Sequence, residues 1–282
     1  VEHGDGPLLI VAGAGTGKTR AITYRIAHLI ESGAAKSDEI LALTFTDKAA
    51  GEMEDRVDGL LSLAYADAWI LTFHAFCERI LRRHALDIGV PGNFKVADQT
   101  AAWLLARKNL DRFKLKYYKP LGNPAKFIHA LLIHFSRCKD QNISPADYAK
   151  YAKTAPEEKE KAREIARAYA VYQKLLLENN LLDFGDLLVY ATALFEKRPA
   201  ILEKYRRQFK YILADEFQDT NWIQYDLVKL LSAPKNNLTV CADDDQAIYA
   251  WRGATIENLK TLQVDFPDLE IIKLEQNYRS ST

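Results

Sequence analysis

Residues 8–19 constrain this chain more than any other stretch. Leu8-Leu9-Ile10-Val11-Ala12 is an apolar run of strand type, Gly13-Ala14-Gly15-Thr16-Gly17-Lys18-Thr19 follows, and from Arg20 to Ile26 the apolar period becomes helical. A strand that turns through glycines into a helix is a phosphate cradle. The glycines let successive backbone N–H groups face inward, and the helix N-terminus adds its dipole. Lys18 is the candidate to set an ammonium between the β- and γ-phosphates of a nucleoside triphosphate, and the Thr19 hydroxyl is the candidate Mg²⁺ ligand. The pattern G-x-x-x-x-G-K-[ST] is met except at its first position, Ala12, where alanine suffices if that turn needs no positive φ. The bland alternative is a glycine-rich turn between strand and helix with no ligand, which the matched motif disfavours.

A second cluster follows the strand Tyr211-Ile212-Leu213-Ala214, namely Asp215-Glu216-Phe217-Gln218-Asp219. An aspartate at the tip of an apolar strand can hold Mg²⁺ on a triphosphate. The neighbouring Glu216 can orient or deprotonate an attacking water, which favours hydrolysis over transfer to a metabolite. Asp219-Thr220 fits a helix cap equally well. Asp243-Asp244-Asp245, behind a buried strand, reads as a polar turn holding Gln246 rather than as a metal cluster.

Around these motifs the chain alternates strand and helix. Strands are expected at 40–45 and 69–72 and helices at 48–61 and 75–84, which predicts a parallel sheet with helices on both faces. From Asp98 to about Arg207 there is hardly a strand candidate, and helix starts fall at Asp98 and after the prolines Pro124, Pro145 and Pro156. Strands return at 211–214, 238–242 and 270–274. The expected α/β domain is therefore discontinuous, residues 1–90 and 208–282, interrupted by an all-helical insertion, residues 91–207.

Formal net charge is zero, but residues 103–150 hold ten basic side chains against three acidic ones. With Phe113, Tyr117 and Tyr118 interleaved, this basic stripe suits a sugar-phosphate chain, although a solvated helical face explains it as simply. The three cysteines, Cys77, Cys138 and Cys241, are far apart and odd in number, which suits a reducing compartment and argues against disulfides or zinc. No apolar run reaches membrane-spanning length and no signal sequence is visible, so the expected location is cytoplasmic, with no membrane partner.

Six blocks, in order, resemble the successive motifs of the UvrD/Rep/PcrA family of superfamily 1 DNA helicases: residues 13–19, 43–50, 72–77, 215–219, 243–254 and 276–280. The resemblance implies a RecA-like phosphate-loop NTPase domain, called 1A, and a helical accessory domain, 1B. It implies ATP and Mg²⁺ as ligands, with Gly13, Ala14, Gly15, Thr16, Gly17, Lys18, Thr19, Arg20 and Tyr278 around the nucleotide. Asp215 and Thr19 would hold the metal, Glu216 would act on water, and Gln246 and Arg279 would reach the γ-phosphate. Phe45, His74, Tyr249, Trp251 and Arg252 match positions along a single-stranded DNA path, and Trp251 with Tyr249 and Arg252 is the composition of a stacking platform. Asp47, where the family commonly has asparagine, and Ala242 and Ala250 depart from the pattern. Leu182-Asp183-Phe184-Gly185-Asp186-Leu187-Leu188 also resembles a family segment, without a residue role. The resemblance further implies that this is the N-terminal half of a 3′–5′ translocase and helicase. Its partners would be single strands, single/double-strand junctions and downstream domains 2A and 2B. A fragment of this kind is expected to turn over ATP poorly alone. The motor part of a RecB/AddA-like helicase–nuclease, a non-catalytic DNA-binding module and a metabolite kinase stay as alternatives.

Overall fold

A computed structural model describes residues 1–13, 15–61, 68–154, 159–243 and 257–276. The chain divides into two compact units, 1–77 with 194–282 and 78–193. The joins expected from sequence were 90/91 and 207/208. Both observed joins fall inside helices, α3 (Phe73–His84) and α8 (Phe184–Lys197), where no change of residue pattern marks them.

The first unit is built on a six-stranded sheet of order β3-β2-β6-β7-β1-β8. Its strands are β1 (Leu8–Ala12), β2 (Ile40–Thr44), β3 (Trp69–Thr72), β6 (Tyr211–Ala214), β7 (Leu238–Ala242) and β8 (Glu270–Leu274), and every pairing is parallel. The register sets Ile10 against Cys241 and Leu43 against Ala214. Alternate residues Leu8, Ile10, Ile40, Ala42, Ile70, Leu213 and Cys241 face one side. There they pack with Ile22, Ile26 and Leu29 of α1 (Lys18–Glu31) and Met53 and Val57 of α2 (Asp47–Leu60). Leu9, Leu41, Leu43, Ile212 and Val240, on the other side by strand alternation, are buried as well. Cover on both faces explains why β1, β2, β6 and β7 read as unbroken apolar runs, whereas the edge strand β8 is largely exposed. Trp69 meets Phe76 and Phe209 edge-on, at 6.2 and 5.1 Å between ring centroids. The remaining helices are α9 (Pro199–Gln208), α10 (Trp222–Ser232) and α11 (Glu257–Asp265).

The second unit holds α4 (Gln99–Lys108), α5 (Ile128–Asp140), α6 (Pro145–Thr154) and α7 (Lys159–Glu178) around Phe135, which stacks on Tyr169 at 4.9 Å. Asp98 caps α4 by accepting the Ala101 N–H at 2.7 Å. The unit is not purely helical, because β4 (Lys95–Ala97) and β5 (Leu181–Asp183) pair in parallel. Each is a three-residue piece, too short to show a period of two.

Two side chains counted in the basic stripe and its aromatics are interior. Phe113 belongs to this unit's core. Lys139 is 1 % exposed and lies 2.7 Å from both Asp183 and Asp186. A Cβ on Gly185 would come within 2.9 Å of Lys139 Cδ, so the close passage of that lysine requires glycine there. The Leu182–Asp186 segment thus receives a structural account: it builds the carboxylate seat of a buried lysine.

Glu164 on α7, 4 % exposed, accepts the backbone N–H groups of Lys116, Tyr117 and Tyr118 at 3.0, 3.2 and 3.0 Å. A hydrogen bond to a charged group contributes about 1.5–3 kcal/mol. Glu164→Ala is therefore expected to lower the stability from urea titration by at least about 2 kcal/mol, and Glu164→Gln by less. A wild-type midpoint for Glu164→Ala would contradict this account of the 116–118 turn.

Candidate functional site

Because the six strands run the same way, their C-terminal ends share one edge of the sheet, where doubly wound folds place ligands. The loop after β1, Phe45 to Asp47 after β2, Phe73-His74 after β3, Asp215 to Asp219 after β6 and Asp243 after β7 all leave from that edge. Ala12 closes β1 without adopting a left-handed backbone, so the glycine commonly found there is not needed. Gly15 (φ +80°) and Gly17 (φ +98°) do adopt it, where a side chain costs about 1–2 kcal/mol. Thr16 ties the loop to itself, its hydroxyl donating to the Gly13 carbonyl at 2.7 Å, and Ala21 N–H donates to Gly17 to open α1.

Lys18 is 8 % exposed, and its Nζ lies 3.0 Å from Asp243 Oδ2 and 3.2 Å from Glu216 Oε2. Burial acts to lower its pKa, but the Asp243 hydrogen bond and the Glu216 charge outweigh burial and hold it above the ordinary lysine value. The Thr19 hydroxyl donates to Asp215 Oδ2 at 3.1 Å. Burial, with Glu216 adding to it, pushes the Asp215 carboxyl up to about 6. Glu216 itself adopts a left-handed backbone, φ 49°, uncommon without glycine or asparagine and frequent at functional sites. Its Oε2 accepts from Gln218 Nε2 at 2.6 Å, while Gln218 Oε1 accepts the Asp243 N–H at 3.0 Å.

Chemically, this is a buried cation with its counter-anions supplied internally. The Lys18 ammonium is opposite two carboxylates, from the ends of β6 and β7. A hydroxyl and a carboxylate 3.1 Å apart, Thr19 and Asp215, are the hard oxygen donors that Mg²⁺ accepts.

Farther along the same edge, Phe45 is half-buried and meets Phe73 edge-on at 6.0 Å. Burial holds the His74 imidazole below its ordinary pKa, opposed by the charge of Asp47. Arg20 is exposed, its guanidinium 5.2 Å from the Tyr24 ring centre. Ala14, Gln246, Tyr249, Trp251, Arg252, Tyr278 and Arg279 lie outside the described residues. In the helical unit, Arg112, Lys119 and Lys150 of the basic stripe are engaged by Glu178, Asp111 and Asp147. Arg107, Lys108, Lys114, Lys116, Lys126 and Arg137 are exposed, with Arg107 over the Trp103 ring at 5.1 Å.

Three residues escaped the sequence reading. In sequence Asp243 reads as part of a turn, and its partnership with Lys18 follows only once β7 is known to lie beside β1. Gln218 shows as one letter of a motif, with no signal of its two-ended bond. Arg25, fully buried, donates to Thr239 Oγ1 and to the carbonyls of Val1, His3 and Gly4, fastening the N-terminal segment to α1. A charged residue within an apolar helical run was the only hint.

A parallel sheet with a glycine-rich phosphate loop and strand-end acids gathered on one edge defines a RecA-like phosphate-loop domain. Residues 1–267 match the UvrD/REP helicase N-terminal domain, and the chain belongs to that family. It is 43 % identical over 286 residues to the ATP-dependent DNA helicase PcrA of Bacillus subtilis (strain 168), covering 100 % of this chain and 36 % of the relative. The PcrA of Staphylococcus aureus (strain Mu50 / ATCC 700699) is also 43 % identical over 286 residues, with 100 % of this chain and 37 % of the relative covered. That of Leuconostoc citreum is 42 % identical over 284 residues, at 100 % and 36 %. The chain thus spans little more than a third of the length of the curated relatives it matches.

Removing one partner of a buried ion pair costs about 3–5 kcal/mol where both charges are enclosed. Glu216 is 35 % exposed, so Lys18→Met is expected to cost less, about 2–4 kcal/mol in the absence of nucleotide. In a double-mutant cycle, Lys18→Met and Asp243→Asn together should cost less than the sum of their separate losses. Additive losses would show that the Lys18–Asp243 pair is not the stabilising contact.

Proposed function

We propose that this chain is the ATP-hydrolysing, strand-binding N-terminal part of a DNA helicase that translocates 3′ to 5′ on single-stranded DNA. The observation that carries the reading is the convergence on Lys18 of carboxylates from the ends of β6 and β7, beside the Thr19–Asp215 pair. The relatives' printed name, ATP-dependent DNA helicase, supports it.

In this reading the N–H groups of residues 13–19 and the Lys18 ammonium bind the triphosphate. Thr19 and Asp215 hold Mg²⁺, which when bound offsets phosphate charge during displacement. Glu216 accepts a proton from the attacking water at its carboxylate, the left-handed backbone turning that side chain back toward Lys18. Arg279 and Gln246 reach the γ-phosphate, and Tyr278, with Arg20, takes the base. Phe45, His74, Tyr249, Trp251 and Arg252 carry the single strand, and the exposed cations of the helical unit bind phosphates of the same nucleic acid near a junction. The 282 residues bind nucleotide and DNA weakly and turn ATP over poorly unless the rest of a full-length protein closes on the nucleotide.

In the full-length protein, Lys18→Ala is expected to weaken nucleotide binding. Glu216→Gln is expected to leave binding within about twofold and reduce DNA-stimulated turnover by about 10²–10⁴. Normal turnover by Glu216→Gln would overturn its assignment as the base. For single strands each neutralised phosphate contributes about −0.7 to the slope of log K against log salt. Arg107→Ala combined with Lys108→Ala should therefore make the slope shallower by about 1.4 if both cations meet phosphate. An unchanged slope removes that part of the helical unit from the DNA path.

A further inference from the structure

We propose that Gln218 is a positioning residue that fixes the Glu216 carboxylate and ties it mechanically to the C-terminal end of β7, so that hydrolysis responds to the strand-binding segment that follows β7. The inference rests on the proposed function, in which Glu216 acts on water and residues after β7 meet DNA.

The geometry leaves Gln218 one orientation. The Asp243 backbone N–H can only donate, so the side-chain atom facing it at 3.0 Å is the amide oxygen. The amide nitrogen is then turned to Glu216 Oε2 at 2.6 Å, as donor to a carboxylate, the charge-assisted kind of hydrogen bond. Gln218 is 2 % exposed, so water does not compete for either end. Glu216 Oε2 thereby receives both Gln218 and the Lys18 ammonium at 3.2 Å, while Oε1 makes no hydrogen bond to a described residue. One oxygen is anchored and the other is left for a water proton.

The turn that carries Gln218 is itself held. The Thr220 hydroxyl donates to the Phe217 carbonyl at 2.7 Å, closing the 3₁₀ turn Phe217–Asp219. Asn258 Nδ2, fully buried on α11, donates to the Thr220 carbonyl at 2.9 Å. In sequence, Asp243 and Asn258 flank residues 244–256. The stretch Glu216–Thr220 therefore bonds to the residues on either side of the segment that contains Gln246 and Trp251. A displacement of the β7 end by about 1 Å stretches the Gln218 link and moves the carboxylate, and misplacements of that size can cost about 10²-fold in rate. A buried glutamine that only satisfied the Asp243 N–H would need no contact with Glu216.

Gln218→Glu separates the two roles. The new carboxylate still accepts the Asp243 N–H but sets a second negative oxygen against Glu216 Oε2. In the full-length protein, we expect Gln218→Glu to lower DNA-stimulated kcat at least tenfold, with KM for ATP and the affinity for a fluorescent ADP analogue within about twofold. The ratio of DNA-stimulated to unstimulated turnover should fall toward one. Gln218→Met, which adds no charge, should show the same loss and serves if the glutamate variant does not fold. In a Glu216→Gln background, Gln218→Met should cause no further loss. Normal kcat in either folded variant, or a KM that changes as much as kcat, overturns the proposal. Glu216→Gln alone separates the failures: if it keeps normal turnover, the reading of Glu216 fails. If it is inactive while the Gln218 variants are normal, only the positioning role fails.

Discussion

The enclosure of one ammonium by carboxylates from two neighbouring strand ends is the interaction on which the described site depends. Lys18 is the first residue of α1, carried there by a glycine loop that only positive φ values allow. Its partners come from β6 and β7, more than 190 residues later in the chain. They meet because a parallel sheet brings every strand's C-terminal end to one edge, and because β7 lies between β1 and β6. The pairing keeps a cation buried beside the glycine loop with its charge met by carboxylates. A buried ion pair of this kind adds little net stability, but removing one partner is costly because it leaves the other charge uncompensated.

From that contact the bonding extends in two directions. Through Glu216 and Gln218 it reaches the main chain of β7. Through Asp215 it reaches Thr19 and, by the Asp215 N–H on the Leu43 carbonyl, the end of β2 that leads into Phe45. The Lys18–Asp215–Glu216 cluster is therefore joined by hydrogen bonds to the main chain at the ends of β2 and β7. Under the proposed function, that continuity is what a motor requires, since opening and closing around ATP must move a gripped strand.

How much of this could be read from residues depended on how local each signal was. The strands Trp69–Thr72, Tyr211–Ala214 and Leu238–Ala242 stand where they were expected, being short apolar runs between polar or breaker residues, and Glu270–Leu274 does so although it carries Glu270 and Lys273 and is largely exposed. Helix α3 starts two residues earlier than expected because Thr72 caps it, accepting the Ala75 N–H at 3.2 Å. The pair β4 and β5 was missed because three residues show no period and the partners are remote in sequence. Lys139 and Phe113 were misplaced in the basic stripe because counting charges and aromatics carries no information about burial. At the site, Lys18, Thr19, Asp215 and Glu216 were legible from motif and strand context. Asp243 as a lysine partner and Gln218 as a bridge were not, since both roles exist only across adjacent strands.

The central claim is that a triphosphate site and a single-strand surface are energetically one system on this scaffold. Linkage requires that a non-hydrolysable ATP analogue with Mg²⁺ change the affinity for a fluorescent oligonucleotide by the same factor as the oligonucleotide changes the affinity for the analogue. Titrating the full-length protein in both directions at one salt concentration tests this directly. The account predicts equal factors of at least about fivefold, within the range typical of coupled sites. Two affinities each indifferent to the other ligand would contradict it.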